Sequence, residues 1–85
     1  MDVLIPTQLR SYTAGESLVD GAGETLADVL AHLDERFPGI RFRMIDEQDR
    51  IREHIRIFVG GIDVKSIDVP VGEREVQIVG ALSGG

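Results

Sequence analysis

Between Gly23 and Pro38 the apolar residues Leu26, Val29, Leu30, Leu33 and Phe37 recur at i, i+3, i+4, i+7 and i+11. That period marks one face of an α-helix, and such a stripe has to be buried against another layer of structure. Thr25 stands where it can cap the helix, and Asp28, three residues on, suits the capping-box position and the positive end of the helix dipole. Pro38-Gly39 ends the element. In a chain of 85 residues, which has room for one compact core, the stripe needs a sheet as its partner.

The strands of that sheet are legible as short runs. Val3-Leu4-Ile5 is closed by Pro6, and Ser17-Leu18-Val19 follows beyond Thr13-Ala14-Gly15, which predicts an N-terminal hairpin. Arg41 to His54 mixes Phe42, Met44, Ile45 and Ile51 with the acidic run Asp46-Glu47-Gln48-Asp49, shows no clean period, and reads as a connector. Ile55, Ile57 and Val59 alternate with Arg56 and Phe58, and Gly60-Gly61 separates them from Ile62-Asp63-Val64, giving strand, turn and strand. Val71-Gly72-Glu73 is turn-like, Val76-Gln77-Ile78-Val79 is the last strand, and Gly80 to Gly85 lose all periodicity. The order predicts an α+β chain with one domain over residues 1–79 and a flexible tail over 80–85. Its fold is expected to be a β-grasp, a mixed sheet of four to five strands with one main helix packed on it. The first and last strands would be parallel neighbours at its centre. A ferredoxin-like arrangement would need a second helix, and the connector shows no helical stripe.

Composition narrows the chemistry. Hydrophobic residues make up 42% and charged residues 28% of the chain, the proportions of a soluble globular protein. There is no cysteine, which excludes a disulfide framework, a thiolate metal site and a cysteine nucleophile together. His32 and His54 supply only half of a usual zinc site and are too far apart for a helical ligand pair, so no metal is expected. His32 falls on the polar side of the helix and is expected to be solvated. His54 precedes a strand with no nucleophile placed near it by sequence, so a surface or packing role is expected. The Asp46 to Asp49 run lacks the glycine and distal glutamate of an EF-hand and reads as a solvated loop. The net charge of −6 repels phosphate backbones and anionic headgroups, so neither nucleic acid nor membrane is expected, and a protein partner with a basic surface is favoured. Met1 to Pro6 shows no basic region followed by a long apolar run, so a cytoplasmic location is expected.

The informative feature is Ser83-Gly84-Gly85 after a predicted central strand. Glycine has no side chain, so a Gly-Gly end can enter a channel only wide enough for backbone and present its carboxylate inside a second protein. Six residues beyond Val79, extended at about 3.3 to 3.6 Å each, would reach about 20 Å. A carboxylate activated by transfer to the AMP of ATP becomes an acyl adenylate, which a sulfur nucleophile displaces to give a terminal thiocarboxylate. With no internal thiol, and with Lys65 the single lysine, few groups of the chain itself compete for the activated end.

The sequence resembles the ubiquitin-like sulfur carriers of the MoaD/ThiS type over nearly its whole length. The likeness is carried by Gly23-Glu24-Thr25-Leu26 opening the helix and Phe37-Pro38-Gly39-Ile40 closing it. Ile57-Phe58-Val59-Gly60-Gly61 as strand and turn, and Val76-Gln77-Ile78-Val79 running into Gly84-Gly85, complete it. Ile5-Pro6-Thr7-Gln8-Leu9-Arg10 with Thr13-Ala14-Gly15 leans towards the CysO-type carriers of cysteine biosynthesis. Many members have a proline where Gly80 stands and a Gly-Asp turn where Arg74-Glu75 stands.

The resemblance implies a carrier and cosubstrate, not an enzyme, with no bound cofactor. Gly85 would be adenylated and thiocarboxylated by a ubiquitin-activating-type adenylyltransferase and sulfurtransferase that uses ATP and magnesium. Ala81, Leu82, Ser83 and Gly84 would be read as the tail, with Phe58 as partner surface. The sulfur-accepting enzyme would be cysteine synthase-like, with a metalloprotease releasing the product, or else the large subunit of molybdopterin synthase. Two other classes share the sequence features: a protein modifier joined through Gly85 to lysines, and a plain β-grasp binding module with an inert tail.

Overall fold

The structure is a computed structural model that describes residues 1–80. Five strands, β1 (Asp2–Leu4), β2 (Leu18–Asp20), β3 (Ile55–Val59), β4 (Ile62–Val64) and β5 (Val76–Gly80), form one sheet in the order β2-β1-β5-β3-β4. β1 and β5 are parallel, with Val3 opposite Val76 and Leu4 opposite Gln77, and every other pairing is antiparallel. This is the β-grasp order expected from the sequence, with the first and last strands side by side.

One helix, α1 (Leu26–Arg36), packs across the inner face. The expected capping box is present: Thr25 Oγ1 accepts from the Asp28 amide at 3.2 Å, and the Thr25 amide donates to Asp28 Oδ2 at 3.3 Å. Leu26, Val29, Leu30 and Leu33 are buried against Val3, Val19, Ile55, Ile57, Val59, Val76 and Ile78 of the sheet, while Phe37 is half-buried at the rim. The β4–β5 connection wraps over the start of α1, since Ala27 and Leu26 donate to the carbonyls of Ile67 and Val69, and Val71 donates to Glu24. Those bonds satisfy amides that a helix N-terminus otherwise leaves without partners.

The connector departs from the sequence reading. It contains a second short helix, α2 (Ile40–Met44), started by Gly39 at φ 96°. Ile40 and Met44, one turn apart, are both fully buried, as is Ile45. Five residues are too short to show a helical period, so the stripe that makes α2 amphipathic is only this one pair. A 3-10 turn at Thr7–Leu9 likewise follows β1 inside the expected hairpin and buries Leu9.

Candidate functional site

β5 lies at the centre of the sheet and ends at Gly80, which pairs directly with Ile55 at the start of β3. The strand includes Gly80, the first residue of the expected tail. The expected tail-recognition residues Ala81, Leu82, Ser83 and Gly84, and the expected sulfur-bearing Gly85, lie outside the described residues.

Alternation along each strand sends one set of side chains inward and the other to the face away from α1. On that outer face the register aligns Leu18 beside Leu4, Leu4 beside Gln77, Gln77 beside Phe58 and Phe58 beside Asp63, a continuous row across all five strands. Val79 stands on the same face opposite Arg56, two residues nearer Gly80. Leu4, Phe58 and Val79 are half-buried and Leu18 is 49% exposed. Phe58, expected as partner surface, is therefore the aromatic centre of an apolar strip that leads towards Gly80. Leu4, Leu18 and Val79 each sit in a run that reads as core in the sequence; only the register shows that they face outwards.

A second feature borders Gly80. Beyond Gln77 the β1 side of β5 is no longer paired, because the chain turns away at Pro6. The open groove left there is lined by Ile5, Pro6, Gln8, Arg10, Ser17 and the end of β5. The Gln8 carboxamide lies over Gly80, occupying the space a side chain at that position would need.

Charge on the outer face is organised by Asp63. Its carboxylate accepts from Arg56 at 3.0 Å and Lys65 at 3.1 Å. Chiefly the Lys65 hydrogen bond, with both positive charges, holds the Asp63 carboxyl below its usual value. Asp46 is lowered for another reason: its carboxylate accepts from the backbone amides of Arg50 and Gln48 at 3.0 and 2.9 Å, beside the Arg50 charge. The Asp46 to Asp49 run is thus a backbone turn closed by its own first residue.

His54 is exposed. His32 corrects the sequence reading: it is half-buried, and its Nδ1 is enclosed without a hydrogen-bond partner. It lies one turn after buried Val29, at the border of the apolar stripe, where a side chain leans back over the preceding turn. Among the described residues no group of acidic or histidine side chains is arranged to hold a metal ion, and no helix is long and apolar enough to cross a membrane.

Comparison with known proteins gives the arrangement a context. Residues 3–85 match the ThiS family. The sulfur carrier protein CysO of Mycobacterium tuberculosis is 30% identical over 98% of this chain and 96% of its own length. The structure superposes on a chain of the Amycolatopsis orientalis BexX/CysO complex with a TM-score of 0.90, at 30% identity and covering 99% of this chain and 98% of that one. It superposes on the crystal structure of M. tuberculosis CysO with the same TM-score of 0.90, at 29% identity over 95% of this chain and 98% of that one. The small archaeal modifier protein 1 of Methanosarcina acetivorans shares the fold, with a TM-score of 0.79 at 22% identity over 99% of this chain and 94% of that one.

Proposed function

The chain belongs to the ThiS family of ubiquitin-like sulfur carriers, and from that premise we propose that it carries sulfide as a thiocarboxylate on Gly85 and delivers it in cysteine biosynthesis. The observation that carries this reading is the exit of the central strand. β5 is held on both sides through Gln77 and reaches Gly80 at the end of the sheet, beside the apolar strip of Phe58, Leu4 and Val79. A tail rooted there can be drawn into a partner while the strip docks on that partner's surface. The cysteine-pathway assignment is supported by the likeness to CysO along nearly the whole chain.

In this reading an adenylating enzyme first joins the Gly85 carboxylate to the AMP of ATP, with release of pyrophosphate and with magnesium held by that enzyme. A sulfur donor then displaces AMP, leaving C(=O)S⁻ on Gly85. The chain performs no bond-making itself: it presents the tail. Ala81 to Gly84 form the backbone read by the channel. The acceptor is a cysteine synthase-like enzyme, and a metalloprotease would release a product left joined to the tail.

The test is intact-protein mass spectrometry of the chain isolated from its native host. A gain of about 16 Da mapped to the C-terminal peptide is expected, from sulfur in place of oxygen; the same gain on Met1 or Met44 is oxidation. If the tail stays an unmodified carboxylate after incubation with host extract, ATP and sulfide, the carrier reading falls. Conjugates linked through Gly85 to lysines of other proteins would replace it with the modifier reading.

A further inference from the structure

The end of the molecule from which β5 exits carries a second surface, built on the helix side. α2 buries Ile40 and Met44 and so holds Phe42 outwards, 55% exposed. The Arg52 guanidinium lies over that ring, 4.5 Å from its centroid, and Arg52 Nε donates to the Phe42 carbonyl at 2.7 Å. Beside it the Arg43 guanidinium lies 5.9 Å from the Tyr12 ring centroid, and Arg43 Nε donates to the Tyr12 hydroxyl at 2.7 Å. Neither Arg43 nor Arg52 takes part in an ion pair among the described residues, whereas their neighbours Arg41 and Arg50 are paired with Asp49 and Asp46.

Guanidinium groups stacked on rings are already ordered, and each keeps N–H donors free to meet carboxylates. Arginine and exposed aromatic residues held in fixed positions are the side chains that most often anchor protein interfaces.

Charge distribution says what the surface would accept. Segments 7–16 and 40–54 hold five arginines against five acidic residues, so the entire excess of −6 lies elsewhere on the chain. A carboxylate-bearing surface is repelled by most of this protein and admitted here. That reverses, locally, the basic partner expected from the net charge. Position links the patch to the tail: residues 40–54 lead into Ile55, the partner of Gly80, and Tyr12 follows the 3-10 turn that borders the Gly80 groove.

We propose that Phe42, Arg43, Arg52 and Tyr12 form a docking patch for a carboxylate-bearing protein surface, and that this surface belongs to the enzyme that activates the tail. The assignment to that enzyme rests on the carrier reading, in which activation is the first step each copy passes and the tail root must be within the enzyme's reach.

The experiment measures the affinity of the full chain for the host's activating enzyme by fluorescence anisotropy, across a range of salt, for wild type, Phe42→Ala and Arg43→Glu. Both side chains are exposed, and unchanged thermal unfolding confirms that the variants fold. Each variant is expected to weaken binding about tenfold, and Arg43→Glu is expected also to flatten the salt dependence. Wild-type affinity in both variants, or no binding by wild type, overturns the proposal. ATP–pyrophosphate exchange with a chain lacking Gly84 and Gly85 is run alongside. Exchange that survives the deletion overturns the carrier reading, whereas exchange that is lost while Phe42→Ala binds normally overturns the patch alone.

Discussion

Replacing Gly23 with alanine separates the cost of a backbone angle from that of a collision. Gly23 precedes the cap of α1 at φ 156°, and a Cβ built there would lie 2.6 Å from Asp28 Cβ, 2.7 Å from the Val29 amide nitrogen and 2.9 Å from the Asp28 carbonyl carbon. Two of those atoms are backbone of the first helical turn. That turn cannot withdraw easily, because the capping box and the bonds from Leu26 and Ala27 to Val69 and Ile67 fix it from both sides. Overpacking costs typically about 1–3 kcal/mol, and an unfavourable backbone angle adds about 1 kcal/mol, giving about 2–4 kcal/mol for Gly23→Ala. Gly72→Ala is the comparison, since Gly72 has φ 60° but no atom within 4 Å of the place its new methyl group would take. It should cost about 1 kcal/mol from the angle alone. For a domain of this size each kcal/mol is worth about 4–8 °C in Tm. Differential scanning calorimetry should therefore show Gly23→Ala melting at least about 4 °C below Gly72→Ala. Equal melting temperatures would refute the claim that the collision with α1 governs this position.

Leu30→Ala, at a fully buried site facing the sheet, should cost about 2–5 kcal/mol in urea unfolding. Thr25→Ala removes the acceptor for the Asp28 amide and should cost about 1 kcal/mol by the same assay. Phe58→Ala should leave Tm within a few degrees yet weaken binding to the activating or accepting enzyme about tenfold, as titration calorimetry would show. Asp46 and Asp63 both titrate below their ordinary value of 3.8. Their contribution is present above that value and is lost as pH falls through the lowered native values. Tm should thus fall on acidification below pH 3.8, and Asp46→Asn should flatten that fall, since the amide oxygen still accepts from Gln48 and Arg50 while no charge remains to be lost.

The parts legible in the sequence are those where one local rule sufficed. The Leu26 to Leu33 stripe and the Thr25–Asp28 box specify α1, and Gly60-Gly61 between alternating runs specifies the β3–β4 turn. The parallel meeting of Val3 with Val76 follows from the order of elements. Whatever depended on long-range contact was not legible. Ile40 and Met44 become a helix because both find the core, and five residues carry no period to announce it. Leu4 and Val79 look like core until the register turns them outwards. The Arg43–Tyr12 and Arg52–Phe42 pairs join residues 31 and 10 positions apart, and nothing in the spacing links them.

The central place of β5 also bears on how the protein is made. Residues 76–80 complete both neighbouring pairings, so without them the β1–β2 and β3–β4 pairs are left with a gap where the middle of the sheet belongs. The sheet can close only once residues 76–80 have been synthesised, by an insertion between β1 and β3. A chain lacking that strand cannot join the two halves of the sheet. Assembly itself thereby screens copies for the strand that roots the tail before any partner meets them.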